Sequence, residues 1–448
     1  MLHYYKYIFG VLLILLVCCK KEKVPKEYLP RNAHEAYFRS LRDAGLASTA
    51  LAEDWMEMAH KALINPLEIT LPFEEEFYFD PSEPNSNGYR FFVNRGQRIS
   101  IDVEIIGRDS STYFIDLFRE KETQIKEWWA IASANDSTLG LEYKARQYNW
   151  YILRIQPELL RGGQCKVTIF KTPSLKFPVS EKNSRNIGSF FNAPRDGGKR
   201  RHHGVDIFAS RHTPVLAPIK AWVRSTGKGN IGGKHVWLYD SEQSIYMYFA
   251  HLENILVQDN IWVYPGDTIG TVGNTGNART TSPHLHFGIY AGGIGPVDPY
   301  HYIAETDTIT NGDHSNKNII NEWVRISEPA QFNYFTQQTG TRDTIIEENT
   351  VMKVLGISGR SYRVELPNNI TGRINEKYII KSDTIIIQEI QHHNITLYDS
   401  PETEAVKKDI IEVGEFLSIL GRFNDHWYVK TTQGNMGWVS IHNIAIVL

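Results

Sequence analysis

The segment between His202-His203-Gly204-Val205-Asp206 and Ser282-Pro283-His284-Leu285-His286-Phe287, with Tyr248-Phe249-Ala250-His251-Leu252 inside it, decides how this chain is read. His202 and Asp206 lie four apart, a spacing that shares one face of a helix. Gly204 intervenes, however, and β-branched Val205 and Ile207 flank Asp206, so the local chain reads as extended. In extended backbone residues 202, 204 and 206 share parity: His202 and Asp206 point one way and His203 the other. His284-Leu285-His286-Phe287 alternates in the same manner, placing both imidazoles on one side and Leu285 and Phe287 in a core. His251 follows the strand-like run Ile245-Tyr246-Met247-Tyr248-Phe249 and is expected at its end. These residues predict extended segments in which His202 and Asp206 share one side, His284 and His286 share one side, and His251 stands at a strand's end.

Each signal alone is weak, because a single histidine is more often a surface or hydrogen-bonded core residue than a ligand. Together they supply His, Asp and His as three zinc ligands, with two histidines left for proton transfer. Three protein ligands and an open fourth position is the arrangement of catalytic zinc, whereas structural sites are closed by four. The nearest cysteine, Cys165, falls outside the segment, which also argues against a structural site. One Zn2+ per chain is the expected cofactor.

The motifs H-x-x-x-D at 202–206, a histidine after a strand at 251, and Pro283-His284-Leu285-His286-Phe287 resemble the lysostaphin/LytM-type zinc metallopeptidases, which cut peptide bonds in bacterial peptidoglycan. Thr213-Pro214-Val215-Leu216-Ala217-Pro218, Gly266-Asp267 and Gly273-Asn274-Thr275-Gly276 extend the resemblance. It implies that His202, Asp206 and His286 are zinc ligands and that His284 and His251 are the catalytic pair. The sequence departs from the pattern at Ser282, where glycine is usual, at Gly288, where an acidic residue often follows, and at Phe249, where tyrosine is common. None of these is one of the five functional positions. The implied chemistry is metal-assisted amide hydrolysis, and the implied partners are peptidoglycan peptides. The competing reading is a catalytically inactive relative that binds the wall or activates another hydrolase. Such relatives typically lose a ligand or a catalytic histidine, and all five are present here.

Outward from this segment the chain reads as mainly β and multidomain. Lys6 and the apolar run Ile8–Val17 resemble a signal peptide over residues 1–19, too short to span a bilayer. Leu16-Val17-Cys18-Cys19 resembles a lipoprotein box with Cys19 as the anchor, predicting a cell-envelope location with membrane attachment through lipid. Residues 28–65 carry helical periodicity with caps at Asn32 and Ser48, a helical hairpin in which Trp55 belongs to the core. Residues 66–175 alternate with period two, at Ile99-Ile101-Val103-Ile105 and at Phe114–Phe118, and read as a β-sandwich with Cys165 as a small core residue. Pro81–Gly88 and Arg161–Gly163 are read as its turns.

The metallopeptidase-like domain is assigned to 186–305. Beyond a polar linker, Glu305–Asn318, two segments align at a constant offset: Leu355-Gly356 with Leu420-Gly421, Tyr362 with Trp427, Gly372 with Gly437. They resemble bacterial SH3-like barrels, at 318–382 and 383–448. Trp427, Tyr428 and Trp438 would line a groove or fill the barrel, and a small barrel needs large side chains inside. With 448 residues, a net charge of −3 and no basic run, the chain lacks the footprint of a nucleic-acid binder.

Overall fold

A computed structural model describes residues 30–106, 111–120, 128–134, 139–307, 317–336, 340–402 and 404–444. The expected signal peptide over residues 1–19, its expected Cys19 anchor and most of the linker Glu305–Asn318 lie outside them. Among the described residues no helix is long and apolar enough to cross a membrane. The chain forms two compact units, the first ending at Ser48 and the second starting at Thr49. In the first, helix Ala33–Asp43 is capped by Asn32, whose side chain accepts from the Glu35 amide, while Glu35 reaches back to the Arg31 amide. In the second, helix Ala50–Ile64 starts one residue later than expected: Thr49, not Ser48, accepts from the Ala52 amide.

Residues 67–173 build two facing sheets around one core that includes Phe77, Phe91, Ile101, Leu153 and Val167. Cys165 is a buried free thiol within it. Strand Gln97–Ile106 alternates as expected, but Tyr113–Arg119 is buried on both faces. Helix Ala50–Ile64 is the reason, since it covers the outer face. Trp55 sets its ring edge-on to Phe114 at 5.8 Å and donates from Nε1 to the Pro157 carbonyl at 2.9 Å. Gly88 belongs to strand Asn87–Val93 rather than to the preceding turn, because a Cβ there would lie 1.9 Å from the Ala62 carbonyl oxygen of that helix.

The C-terminal repeat holds strand by strand. Val351–Ser358, Ser361–Glu365 and Thr371–Asn375 recur 65 residues on as Phe416–Phe423, His426–Thr431 and Met436–Ser440. Even the bulge between Val354 and Gly356 recurs between Ile419 and Gly421. The expected pair of separate small barrels is corrected for the first copy. Its strand Val351–Ser358 pairs with Phe73–Phe79 at Glu76↔Ile357 and Phe77↔Gly356, giving an eleven-stranded sheet shared with the sandwich. A buried polar cluster reinforces this join: Arg363 Nε donates to both oxygens of Glu75 at 3.0 and 3.1 Å, its Nη1 to Asn87 Oδ1 at 3.0 Å, and Tyr89 Oη to Glu75 at 2.5 Å. Trp427, Tyr428 and Trp438 are all buried; Tyr428 and Trp438 pack into the core of the first copy.

Residues 187–297 form a ten-stranded sheet. Its central order, in chain neighbours, runs Val205–Phe208, His284–Ala291, Ile245–Ile255, Gly233–Asp240, Ala221–Gly229, Trp262–Val263. Val205, Ile207, Leu285, Phe287, Phe249 and Val236 fill its core from one face. The sandwich touches this domain at the turn before Ile245, where Lys144 meets Glu242 at 2.8 Å, and at Tyr302, whose ring packs so closely on Gly96 that a Cβ there would lie 2.3 Å from it. The first contact is at the far end of strand Ile245–Ile255 from His251.

Candidate metal centre

Strand pairing brings the site together. Asp206 sits directly opposite His286, Phe208 opposite His284, and Ala250 opposite His286 on the other side. Asp206, His284 and His286 therefore share the face away from the apolar core, as their parity requires.

His202 lies just before strand Val205–Phe208, outside it. Its position comes from backbone bonds rather than from strand parity: its amide donates to Ala193 O at 2.9 Å, and its carbonyl accepts from Asn192 at 2.7 Å. The ring turns inward and is buried, while His203 is exposed. Gly204 is required here, because a Cβ would lie 2.5 Å from Phe287 O and 2.8 Å from His286 Cε1.

His251 is inside strand Ile245–Ile255, not at its end. Ala250 faces His286, so regular alternation would turn the next side chain into the core. The backbone of His251 instead takes φ 61°, a left-handed conformation rare for a residue with a Cβ. That turn sets its ring against His284 and His286, with centroids 5.1 and 5.9 Å away. Such local strain is held by its surroundings: the His251 amide donates to Gly232 O at 2.8 Å.

Three atoms converge. His202 Nε2, Asp206 Oδ1 and His286 Nδ1 are each 3.0 Å from the other two. His202 Nδ1 is 2.8 Å from the Phe190 carbonyl, which can only accept, so it carries the ring proton. A neutral His202 then points the lone pair of Nε2 at a carboxylate oxygen. A proton on His286 Nδ1 satisfies one of these contacts and leaves the other acceptor against acceptor. A cation among the three resolves the conflict, and the trio is a group that could hold a metal ion. Two imidazoles and one carboxylate suit zinc among the common metals.

The other two histidines are set alike. His284 Nδ1 donates to Ser282 O at 2.8 Å and His251 Nδ1 to Thr275 O at 2.9 Å. Both rings thus spend Nδ1 on a backbone carbonyl, and Nε2 of His284 is 4.0 Å from Asp206 Oδ1. Burial pushes His251 down to about 4, helped by the neighbouring His284 and His286, so it is neutral near pH 7. Burial likewise lowers His286, against the pull of Asp206. Burial alone would raise the Asp206 carboxyl, but the hydrogen bonds and charge of His202 and His286 hold it far below the usual carboxylate range.

One residue of the site was not legible in the sequence. Arg195 Nη2 donates to Asp206 Oδ2 at 2.6 Å and to Ser189 Oγ at 2.7 Å. It occupies the carboxylate oxygen turned away from the two imidazoles, leaving Oδ1 for a metal. The only local signal was the turn Asp196-Gly197-Gly198, which folds Pro194–Arg195 back on Arg200–Arg201.

Known proteins resemble the segment that carries this site. Residues 200–299 match the family described as Peptidase family M23. The chain is 37% identical over 122 residues to an L-Ala–D-Glu endopeptidase of Bacillus subtilis, covering 25% of this chain and 37% of that one. It is 35% identical over 122 residues to the peptidoglycan DD-endopeptidase ShyC of Vibrio cholerae, covering 26% and 28%. The chain thus spans about a third of the length of these relatives. Among solved structures, the catalytic domain of lysostaphin from Staphylococcus simulans is 29% identical over 26% of this chain and 91% of that one, with a TM-score of 0.24. The segment of the chain that builds the His202–Asp206–His286 site is a peptidase family M23 domain.

Proposed function

We propose that this chain is an exported zinc metalloendopeptidase that hydrolyses amide bonds in the peptides of peptidoglycan. The observation that carries the reading is the convergence of His202 Nε2, Asp206 Oδ1 and His286 Nδ1 at 3.0 Å, beside two further imidazoles fixed through Nδ1. Two similar relatives, named for L-Ala–D-Glu and DD bonds, support the substrate class. Their difference leaves amide hydrolysis as the shared chemistry.

His202, Asp206 and His286 would hold the metal, which when bound polarises a carbonyl and makes water more acidic. The chain's own groups do the rest. His251 and His284, each locked by a backbone carbonyl at Nδ1, present Nε2 as base or, once protonated, as donor. One takes the proton of the attacking water. That histidine, now protonated at Nε2, hands the same proton to the departing amine, while the second ring orients the attacking water. Arg195 holds the carboxylate of Asp206 in a single orientation.

The signal read at residues 1–19, with Cys19 as lipid anchor, would place the domain in the cell envelope, where this substrate lies. The test uses purified protein lacking residues 1–19, loaded with zinc and incubated with isolated peptidoglycan, with released fragments weighed by mass spectrometry. New free amine and carboxyl ends in the peptides are expected. Stoichiometric zinc with intact peptides would replace this reading by that of an inactive wall-binding or activating protein.

A further inference from the structure

The face of the catalytic sheet that carries the metal site continues away from it as two rows of aromatic rings. The row next to the metal row pairs Trp237 with Tyr248, and Tyr248 with Gly288. The row beyond it runs across five strands: Trp262↔Trp222↔Tyr239↔Tyr246↔Tyr290. Rows two residues apart are about 7 Å apart along the strands, and four inter-strand steps span roughly 19 Å. Several of the rings touch. Trp237 is 4.4 Å from Tyr248 and 5.2 Å from Tyr290, Tyr239 is 4.7 Å from Tyr246, and Trp222 is 5.3 Å from Trp262, centroid to centroid. Tyr248 ends this surface at the site, 6.0 Å from the His286 ring.

The outward face of an antiparallel sheet is ordinarily polar. Here no side chain in either row bears a charge, while the alternate residues Val236, Leu238, Met247 and Ile289 make the core. None of the rings joins that core; all are partly exposed, Tyr246 and Trp262 at 37% and 48%. Cross-strand aromatic pairs stabilise a sheet by roughly 0.2–1 kcal/mol each. That explains pairs, but not a run of seven rings leading to the candidate metal site. Exposed aromatics with a polar tip mark surfaces that meet a ligand having both apolar faces and hydroxyls.

We infer that this platform binds a neutral polysaccharide chain, each pyranose ring laying its C–H face on an aromatic ring while its hydroxyls reach the tyrosine hydroxyls and water. Two features favour a sugar chain over a peptide. The backbone groups under the platform are consumed in strand ladders, so a peptide cannot add as a strand. The rows carry no charge of their own, and the Lys220 ammonium, 5.2 Å from the Trp262 ring centroid, sits at their far end, so the middle of the platform suits an uncharged ligand better than an acidic peptide or a nucleic acid. The inference rests on the peptidoglycan reading: the platform would hold the glycan strand while a peptide attached to it reaches His284 and His286.

The probe is the hexamer of β-1,4-linked N-acetylglucosamine, titrated calorimetrically into zinc-loaded protein lacking residues 1–19. Saturable binding is expected, weakened at least tenfold in Tyr246→Ala/Trp262→Ala and restored toward wild type in Tyr246→Phe/Trp262→Tyr. Zinc content and thermal unfolding, measured on the same samples, report that the variants are folded. No binding by the wild type, or equal binding by the Ala variant, overturns the inference. Because no bond is cut in this assay, a protein that binds the hexamer but cleaves no peptide would refute the endopeptidase reading and leave the platform standing.

Discussion

Replacing Gly204 by alanine probes how tightly the site is built. The added Cβ would lie 2.5 Å from Phe287 O, 2.8 Å from His286 Cε1 and 2.9 Å from His286 Nε2. Ordinary contact begins near 3.4 Å, so separations must grow by about half an ångström or more. Phe287 O belongs to strand His284–Ala291, which is paired on both sides and cannot retreat easily. The movable partner is the His286 ring, whose Nδ1 is one of the three converging atoms. Metal–ligand distances tolerate about 0.2 Å. A displaced ring should therefore lower zinc affinity by roughly 10- to 100-fold, the range for lost ligand orientation. The assay is zinc competition against a chromophoric chelator, with Gly229→Ala as control, because a Cβ there meets only His235 Cε1 at 3.8 Å. Wild-type affinity in Gly204→Ala would refute the claim that this glycine clears the ring for ligation.

Further expectations follow from individual contacts. Arg195→Ala frees Asp206 Oδ2 and should weaken zinc binding about 10-fold or more, with Arg195→Lys recovering part of it; unchanged affinity would remove Arg195 from the site. Arg363→Ala strands the buried Glu75 carboxylate and should destabilise the sandwich by about 3–5 kcal/mol, seen as a lower thermal midpoint, whereas an unchanged midpoint would show that the shared sheet does not need the pair. Burial pushes the Cys165 thiol up to about 12. The folded chain thus keeps a proton that the unfolded chain loses above about 9. Stability should decline as pH rises from there toward 12. In protein lacking residues 1–19, alkylation at pH 8.5 should track unfolding, and rapid labelling of the native protein would contradict the burial.

Sequence reasoning reached the site because its signals are local. Two-residue periodicity is enough to place His284 with His286 and to turn Leu285 and Phe287 inward. It also separates His202 from His203, although His202 reaches the site through hydrogen bonds to Ala193 and Asn192 rather than by strand parity. For His251 the sequence supplies the histidine but not the left-handed backbone that turns it from the core to the metal face. Arg195 escapes entirely, since nothing near it in the chain announces Asp206. The same limit applies to the fold. Phe114–Phe118 reads as one-sided until helix Ala50–Ile64 is seen on its other face. The join of the first C-terminal copy to the sandwich depends on Glu75 and Arg363, 288 residues apart. Contacts of that span leave no periodic trace, so Tyr428 and Trp438 could be read as a groove when they fill a core between the two copies.

The most direct test of the account measures zinc content and peptidoglycan cleavage side by side in the wild type, His284→Ala and His286→Ala. His286→Ala should lose both metal and activity. His284→Ala should keep stoichiometric zinc and lose activity by roughly 10²–10⁴-fold, the usual contribution of a positioned acid or base. Full activity in His284→Ala, or stoichiometric zinc in His286→Ala, would contradict the division of these two neighbours into catalyst and ligand.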